Sequence, residues 1–260
     1  WHRHRANSGS LLVHKATHHF DLVNWWLGAR PVEVFCRGRR AFYTPRTADE
    51  LYGLTGRGDR CRDCPRSGDC PFFLDLAANA KLKARYLDCE HEDGYFRDRC
   101  VFGAEIDIWD TMSLVVTYDT GATMSYSLTA YCPVEGYTIR FNGDRGRLEH
   151  QAQEKTYISG DGSVPGELEK TGVTITLIPA FSPPRSVEPR TRAGGHGGGD
   201  QPLLDDVFLP GDRPDPLGRR AGAIDGAWSI LTGVAAAESS ETGRPVRVDN
   251  RRNPALMTQS

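Results

Sequence analysis

The apolar positions change period several times along the chain. Leu11, Leu12, Phe20, Val23, Trp26 and Leu27 recur at mixed three- and four-residue spacings, which predicts a helix over residues 10–27 with one apolar face. Gly28 stands where a C-terminal cap belongs, and Pro31 follows soon after. The alternation in "PVEVFCRG" predicts a strand at 31–38. Residues 44–70 lose all periodicity and are rich in Gly, Arg and Asp, so they read as an insertion with little apolar core. "PFFLDLAANAKLKARYLDCE" predicts a second helix over 71–90. Alternation then resumes. Residues 107–119 and 122–131 flank the turn "DTG", and 136–151 holds two short strands around "NGDRG". "KTYISG" and "VTITLIP" add two more strands. Residues 182–202 are Pro-rich and then Gly-rich, a loop, with Asp200 placed to cap a helix starting near Pro202. Ala, Leu, Val and Ile dominate a last helix over 223–243, which Gly243 ends, and "RPVRVD" closes with a short strand.

This order predicts an α+β fold: a large, mainly antiparallel sheet with helices packed on one face, plus the Cys-containing insertion at 44–70. One domain over 1–250 and a tail at 251–260 account for the pattern. A nucleotide-binding turn of the G-x-G-x-x-G kind is not predicted. The one Gly-rich candidate, "GGHGGGD", follows a Pro-rich loop rather than a strand, and no Walker-type GK[ST] is present. Charge narrows the partners. With 32 Lys+Arg against 34 Asp+Glu, the formal charge of -2 gives no reason to expect nucleic acid or a membrane surface. No apolar run approaches the roughly 20 residues that cross a bilayer. The opening "WHRHRANSGS" is polar and basic, unlike a secretory signal, so a cytoplasmic location is expected. Without an initial Met, the chain reads as a fragment of a longer protein.

Chemistry concentrates in "HKATHHFD". On a helix His14 and His18 are four apart and share a face, as do Lys15 and His19, and Asp21 follows His18 by three. Imidazole exchanges protons near neutral pH, so this is a candidate proton-transfer site beside a cleft; the alternative is a row of surface histidines on an amphipathic helix. A zinc-binding His pair lacks an evident third ligand. The cysteines form a second constellation. Cys61, Cys64 and Cys70 are spaced C-x2-C-x5-C, with Cys89 and Cys100 beyond. In a chain with no sign of secretion this favours a structural zinc that staples the insertion, with Cys100, Cys89 or His91 as fourth ligand and Cys100 preferred. An iron–sulfur cluster is the runner-up. Trp109, Tyr118, Tyr126 and Tyr131 read as sheet-face packing. The arginines at 37, 39, 40, 57, 60 and 62 read as a solvated strip.

The segment "SGSLLVHKATHHFDLVNWWLG" resembles the start of the C-terminal domain of the glucose–fructose oxidoreductase / inositol dehydrogenase / MocA family, and the resemblance continues through "IDIWDTMSLVVTYDTGATMSYSLTAY", "GYTIRFNGDRGRLEH", "GGHGGGD" and "AIDGAWSILTGVAAAESSETGRPVRV". It therefore covers nearly the whole chain. It implies the substrate-binding and oligomerisation domain of an NAD- or NADP-dependent oxidoreductase acting on a sugar, polyol or related compound. The nucleotide would be bound mainly by an N-terminal domain this chain does not contain, so the fragment alone is expected to be inactive. By position the resemblance makes His18 the proton relay, joined by His14, which stands where the family commonly has Asp, and by Lys15. It puts His19, His196 and Asp200 among substrate-binding residues and implies a homo-oligomer formed through the sheet face. Two other readings stand beside it: an NAD-dependent glycosidase of the same family, and a non-catalytic zinc-stapled module for protein association.

Overall fold

The computed structural model describes residues 2–155, 167–189, 198–209 and 214–248. The chain divides into two compact units, one of Trp1–Tyr131 with Leu217–Ser260 and one of Cys132–Pro216. The α+β class expected from the sequence is what the fold shows, but the strands form two four-stranded antiparallel sheets rather than one large sheet.

In the first unit the elements are α1 (Arg5–Ser8), α2 (Leu11–His14), α3 (Thr17–Leu27), β1 (Pro31–Arg39), α4 (Pro45–Glu50), α5 (Ala80–Leu82), α6 (Glu90–Asp93), β2 (Thr111–Tyr118) and β3 (Thr123–Thr129). Its sheet has the order β3-β2-β1-β8, where β8 (Val246–Arg247) lies near the chain's end. Alternation along the strands builds the core. Val34 and Cys36 of β1 pair with Val116 and Leu114 of β2, and all four are buried on one face. That face is covered by the long helix formed by Ala223–Thr242, which packs on β1 and against α2 and α3. Because β8 pairs with β1 only at Glu33 and Val34, the β1 amides farther along need other acceptors. Cys36 N–H donates to Ser239 Oγ at 2.9 Å and Gly38 N–H to Ser240 Oγ at 2.7 Å.

The helix expected over 10–27 is broken in two, with Lys15 and Ala16 between α2 and α3. Gly28 ends α3 in the left-handed conformation, φ 58°, as its position predicts. The helix expected over 71–90 does not form as one element; α5 and α6 are separated by a π-helical turn at Lys83–Leu87. Local side-chain acceptors explain the difference. Asp75 Oδ1 takes the N–H groups of Ala77 and Ala78, and Asn79 Oδ1 takes those of Lys81 and Leu82. Each offers the backbone a turn or a new helix start in place of a continuous helix. Phe72 is drawn instead into a cluster around Ala48, Leu54 and Phe102, together with Phe42, Tyr43 and Tyr52. The whole segment between β1 and β2 is anchored at its root by Asp110, which is buried and accepts the N–H groups of Ala41, Phe42 and Tyr43 at 2.8, 2.8 and 2.9 Å.

The second unit holds β4 (Glu135–Gly143), β5 (Gly146–Lys155), β6 (Glu167–Pro179) and β7 (Arg185–Ser186) in that order across its sheet, and helix α7 (Asp200–Phe208). Gly143 and Gly146 pair across the tight turn predicted from "NGDRG". "VTITLIP" is the C-terminal half of β6, while "KTYISG" contributes only Lys155 to β5 and otherwise lies outside the described residues. Asp200 is the first residue of α7, not its cap, which is Gly199. The remaining long helix, Ala223–Thr242, is α8.

Candidate functional site

Helices α2 and α3 position the histidines. Ser10, at the start of α2, is fully buried with φ 145° and ψ 173°, a region nearly reserved for glycine. Its hydroxyl accepts the Leu12 N–H at 3.1 Å. Backbone held in such a conformation by its surroundings clusters at functional sites. Here it lies four residues before His14. The Nδ1 of His14 is buried with no hydrogen-bond partner, and its ring lies 4.6 Å from that of His2. Burial pushes the His2 imidazole below its ordinary pKa, and the His14 and Lys15 charges act in the same direction.

The grouping expected from the sequence is thus spread over several surroundings. Lys15 and His18 are exposed, the latter in the first turn of α3. His19 turns to the sheet, its Nδ1 hydrogen-bonded to the Tyr126 hydroxyl at 2.9 Å. Burial holds that phenol well above its ordinary pKa, so it keeps its proton. Tyr126 also packs edge-on against Phe20. His196 lies outside the described residues, and Asp200 is exposed on α7 in the second unit.

One turn beyond His18, Asp21 opens onto a cleft of about 490 Å³ between the C-terminal part of α3 and the start of α8. Asp21, Asn24 and Trp25 line it from α3, and Arg219, Asp225 and Trp228 from the other side. Trp25 Nε1 donates to the Leu217 carbonyl at 2.8 Å, which fixes the segment leading into α8 as a wall. Burial raises the Asp21 carboxyl above the usual carboxylate range, the Asp225 charge raises it further, and His18 opposes both. Both polar atoms of the Asn24 amide are buried with no protein partner. An amide so placed is costly to fold unless something else meets its hydrogen-bonding capacity. The sequence singled out Asp21 only as a neighbour of His18. Asn24, Asp225 and Trp228 went unnoticed, although Asp21, Asn24 and Gly28 have the i, i+3, i+7 spacing of one helical face.

Among the described residues no three His, Cys, Asp or Glu side chains are drawn around one point as a ready metal site. Cys61, Cys64, Cys70 and Cys100 nevertheless line the same small cavity inside the insertion. Cys89 and His91 do not line it. Nor does either sheet provide a dinucleotide platform: all strand pairs in both are antiparallel.

A profile described as "Oxidoreductase family, C-terminal alpha/beta domain" matches residues 1–248. The chain belongs to the Gfo/Idh/MocA oxidoreductase family and carries its C-terminal domain. It is 37% identical over 257 residues to YteT of Bacillus subtilis (strain 168), whose name describes it as an oxidoreductase, covering 95% of this chain and 57% of that protein. The aldose–aldose oxidoreductase of Caulobacter crescentus, solved with glycerol, has a similar fold, with TM-score 0.52 and 15% identity over 95% of this chain and 50% of that one. A protein of Desulfitobacterium hafniense described as an NADPH-dependent oxidoreductase gives 0.53 and 15% over 96% and 51%. The chain therefore spans little more than half the length of these relatives. Among the described residues no helix is long and apolar enough to cross a membrane.

Proposed function

We propose that this domain forms the substrate side of an NAD(P)-dependent oxidoreductase acting on a sugar or polyol. The observation that carries the reading is the cleft at α3 and α8, with an unpartnered buried amide at Asn24, a carboxylate pair at Asp21 and Asp225, and the indoles of Trp25 and Trp228 on its walls. Its volume of about 490 Å³ is within the range of small-molecule sites, roughly 300–1,000 Å³. Hydroxyl groups would answer the amide and carboxylates, and the C–H faces of a sugar ring suit aromatic walls. The glycerol bound to the Caulobacter relative is a polyol of the same chemistry.

The nicotinamide, when bound, would accept the hydride from the substrate carbinol carbon. This chain's described residues offer no fold to hold it, so their part is to bind, orient and move a proton. His18 takes the proton of the substrate hydroxyl as the carbonyl forms. Asp21, one turn away, stabilises the resulting imidazolium. Lys15 supplies positive charge just before α3, and His14 stands beside it at the end of α2. His19 positions α3 through Tyr126 rather than touching substrate. The same reading holds that copies of the domain associate through the outer face of the first sheet, where Phe35 and Val115 stand opposite each other and exposed; sedimentation of the intact protein as a monomer would remove that part.

The test uses the intact protein in which this domain is joined to its nucleotide-binding half. His18→Ala should lower kcat about 10²–10⁴-fold, the usual worth of a positioned general base, with cofactor Kd unchanged. Asn24→Leu should chiefly raise KM. Loss of cofactor binding with turnover preserved in His18→Ala would refute the assignment.

A further inference from the structure

We propose that Cys61, Cys64, Cys70 and Cys100 form a tetrathiolate zinc site that staples the insertion between β1 and β2. The proposal stands apart from the redox reading, since none of these residues lines the cleft at α3 and α8.

The backbone brings the four together from three separate stretches. An antiparallel bridge joins Arg60 to Arg99. Within it Cys61 N–H donates to the Asp98 carbonyl and Cys100 N–H to the Asp59 carbonyl, each at 2.8 Å, so the two cysteines stand on adjacent chains. Cys64 N–H turns back to the Cys61 carbonyl at 3.2 Å, which folds the C-x2-C pair into a knuckle. Phe73 N–H closes on the Cys70 carbonyl at 3.1 Å, directing the third stretch to the same place. This geometry decides the fourth ligand, which spacing left open. Cys89 is exposed with its thiol on the Ala84 carbonyl, and His91 is exposed beside Glu92.

The cavity the four cysteines line has a volume of about 20 Å³. A single water needs roughly 10–15 Å³ on this measure, so the space is of the order of one small ion. One backbone donor already faces a sulfur: Gly58 N–H points at Cys64 Sγ at 3.3 Å. Arg57, Arg60 and Arg66 line the same cavity, and the Nε of Arg66 is buried with no hydrogen-bond partner. A zinc bound by four thiolates carries two net negative charges and would give that donor an acceptor. The four sulfurs line the walls without converging. Binding therefore requires them to turn onto the centre by changing between staggered χ1 wells, reaching Zn–S distances of about 2.3 Å, with each thiol releasing its proton.

The insertion has reason to use such a staple. Between β1 and β2 its only regular elements are the short helices α4, α5 and α6 and the π turn. Its main buried cluster is only Ala48, Leu54 and Phe102 with partly buried aromatics around them, Leu76 and Ile106 being buried apart from it, and Cys70 and Cys100 pack against that cluster. A segment with so little apolar burial commonly relies on a metal or a cross-link.

Elemental analysis of the purified intact protein is expected to give about one zinc per chain. Cys64→Ser and Cys100→Ser should lose it and Cys89→Ser should keep it. Should the first two variants fail to fold, cobalt(II) reconstitution of the unaltered protein reads the same site, with a thiolate-to-cobalt charge-transfer band and strong tetrahedral visible bands. Zinc retained by Cys100→Ser and lost by Cys89→Ser would overturn the ligand set. Iron with a visible chromophore, or no uptake of either zinc or cobalt, would overturn the site itself.

Discussion

Helix α8 contains two glycines that the structure places in opposite circumstances, and together they test how α2 is held. A Cβ on Gly233 would lie 2.9 Å from the Leu12 carbonyl carbon, closer still to its oxygen, and 3.2 Å from Val13 Cα. These are backbone atoms of α2, so the clash cannot be relieved by rotating a side chain. A Cβ on Gly226 would meet nothing within 4 Å. In either position Gly→Ala returns about 0.8–1 kcal/mol of helix propensity. Only at 233 does it also incur overpacking, about 1–3 kcal/mol, with backbone contact placing the cost toward the upper end. The difference between the two variants cancels the propensity term and isolates the crowding. Gly226→Ala should be neutral to stabilising by up to about 1 kcal/mol, and Gly233→Ala should be less stable than it by about 1–3 kcal/mol. At about 2–4 °C per kcal/mol for a unit of this size, the two melting temperatures should differ by roughly 2–12 °C. Urea unfolding and thermal melts of the two variants measure it. On the proposed reading, Gly233→Ala should also lower turnover of the intact protein more than Gly226→Ala does, because α2 carries His14. If the two variants have equal stability, the close crossing of α2 and α8 is refuted, and with it the means by which α8 positions the histidines.

Asp110→Ala strands the N–H groups of Ala41, Phe42 and Tyr43 in a partly buried setting; at about 1 kcal/mol per stranded group, the lower end of the usual range, the loss should be about 3 kcal/mol by chemical denaturation, and a loss under about 1 kcal/mol would show that the insertion is not rooted there. Asp21 gives a pH signature. Its carboxyl pKa is raised in the fold, by burial first and then by Asp225, so its contribution is favourable below the ordinary carboxylate value of about 3.9 and is lost as pH rises through the raised value. Asp21→Asn should therefore be more stable than the parent at pH 7 and show no such advantage at pH 3, and urea midpoints showing no gain at pH 7 would contradict the raised pKa.

What could be read from the sequence follows the range of the interaction that fixes it. The strands β1, β2 and β3 came out within a few residues, because a half-buried sheet face imposes its alternation locally: Met112, Leu114 and Val116 face in while Ser113 and Val115 face out. The Gly28 cap and the β4–β5 turn were likewise legible from a few adjacent residues. The helix expected over 71–90 failed for a local reason of another kind. Asp75 and Asn79 each hydrogen-bond to amides two and three residues on, and an apolar spacing rule assigns no cost to that competition.

The candidate site divides in the same way. The histidines and the cysteine triplet were visible because their residue types lie close together in sequence. Cys100 entered only as a preference, and what places it is a backbone bridge between residues 59–61 and 98–100 that no spacing rule contains. The cleft is more hidden still, since it joins residues 21–30 to residues 218–228. Nothing local distinguishes Asn24 from an ordinary polar residue on an exposed helix face, and nothing local distinguishes Gly233 from Gly226. Their different circumstances arise from where α8 meets α2 and α3. Asn24's amide stands out only because the segment held by Trp25 walls it in, leaving both its polar atoms buried with no protein partner. A ligand hydroxyl that satisfies it recovers hydrogen bonds the fold gives up there, so the discriminating power of the cleft should reside in this amide more than in the histidines the sequence displays so openly.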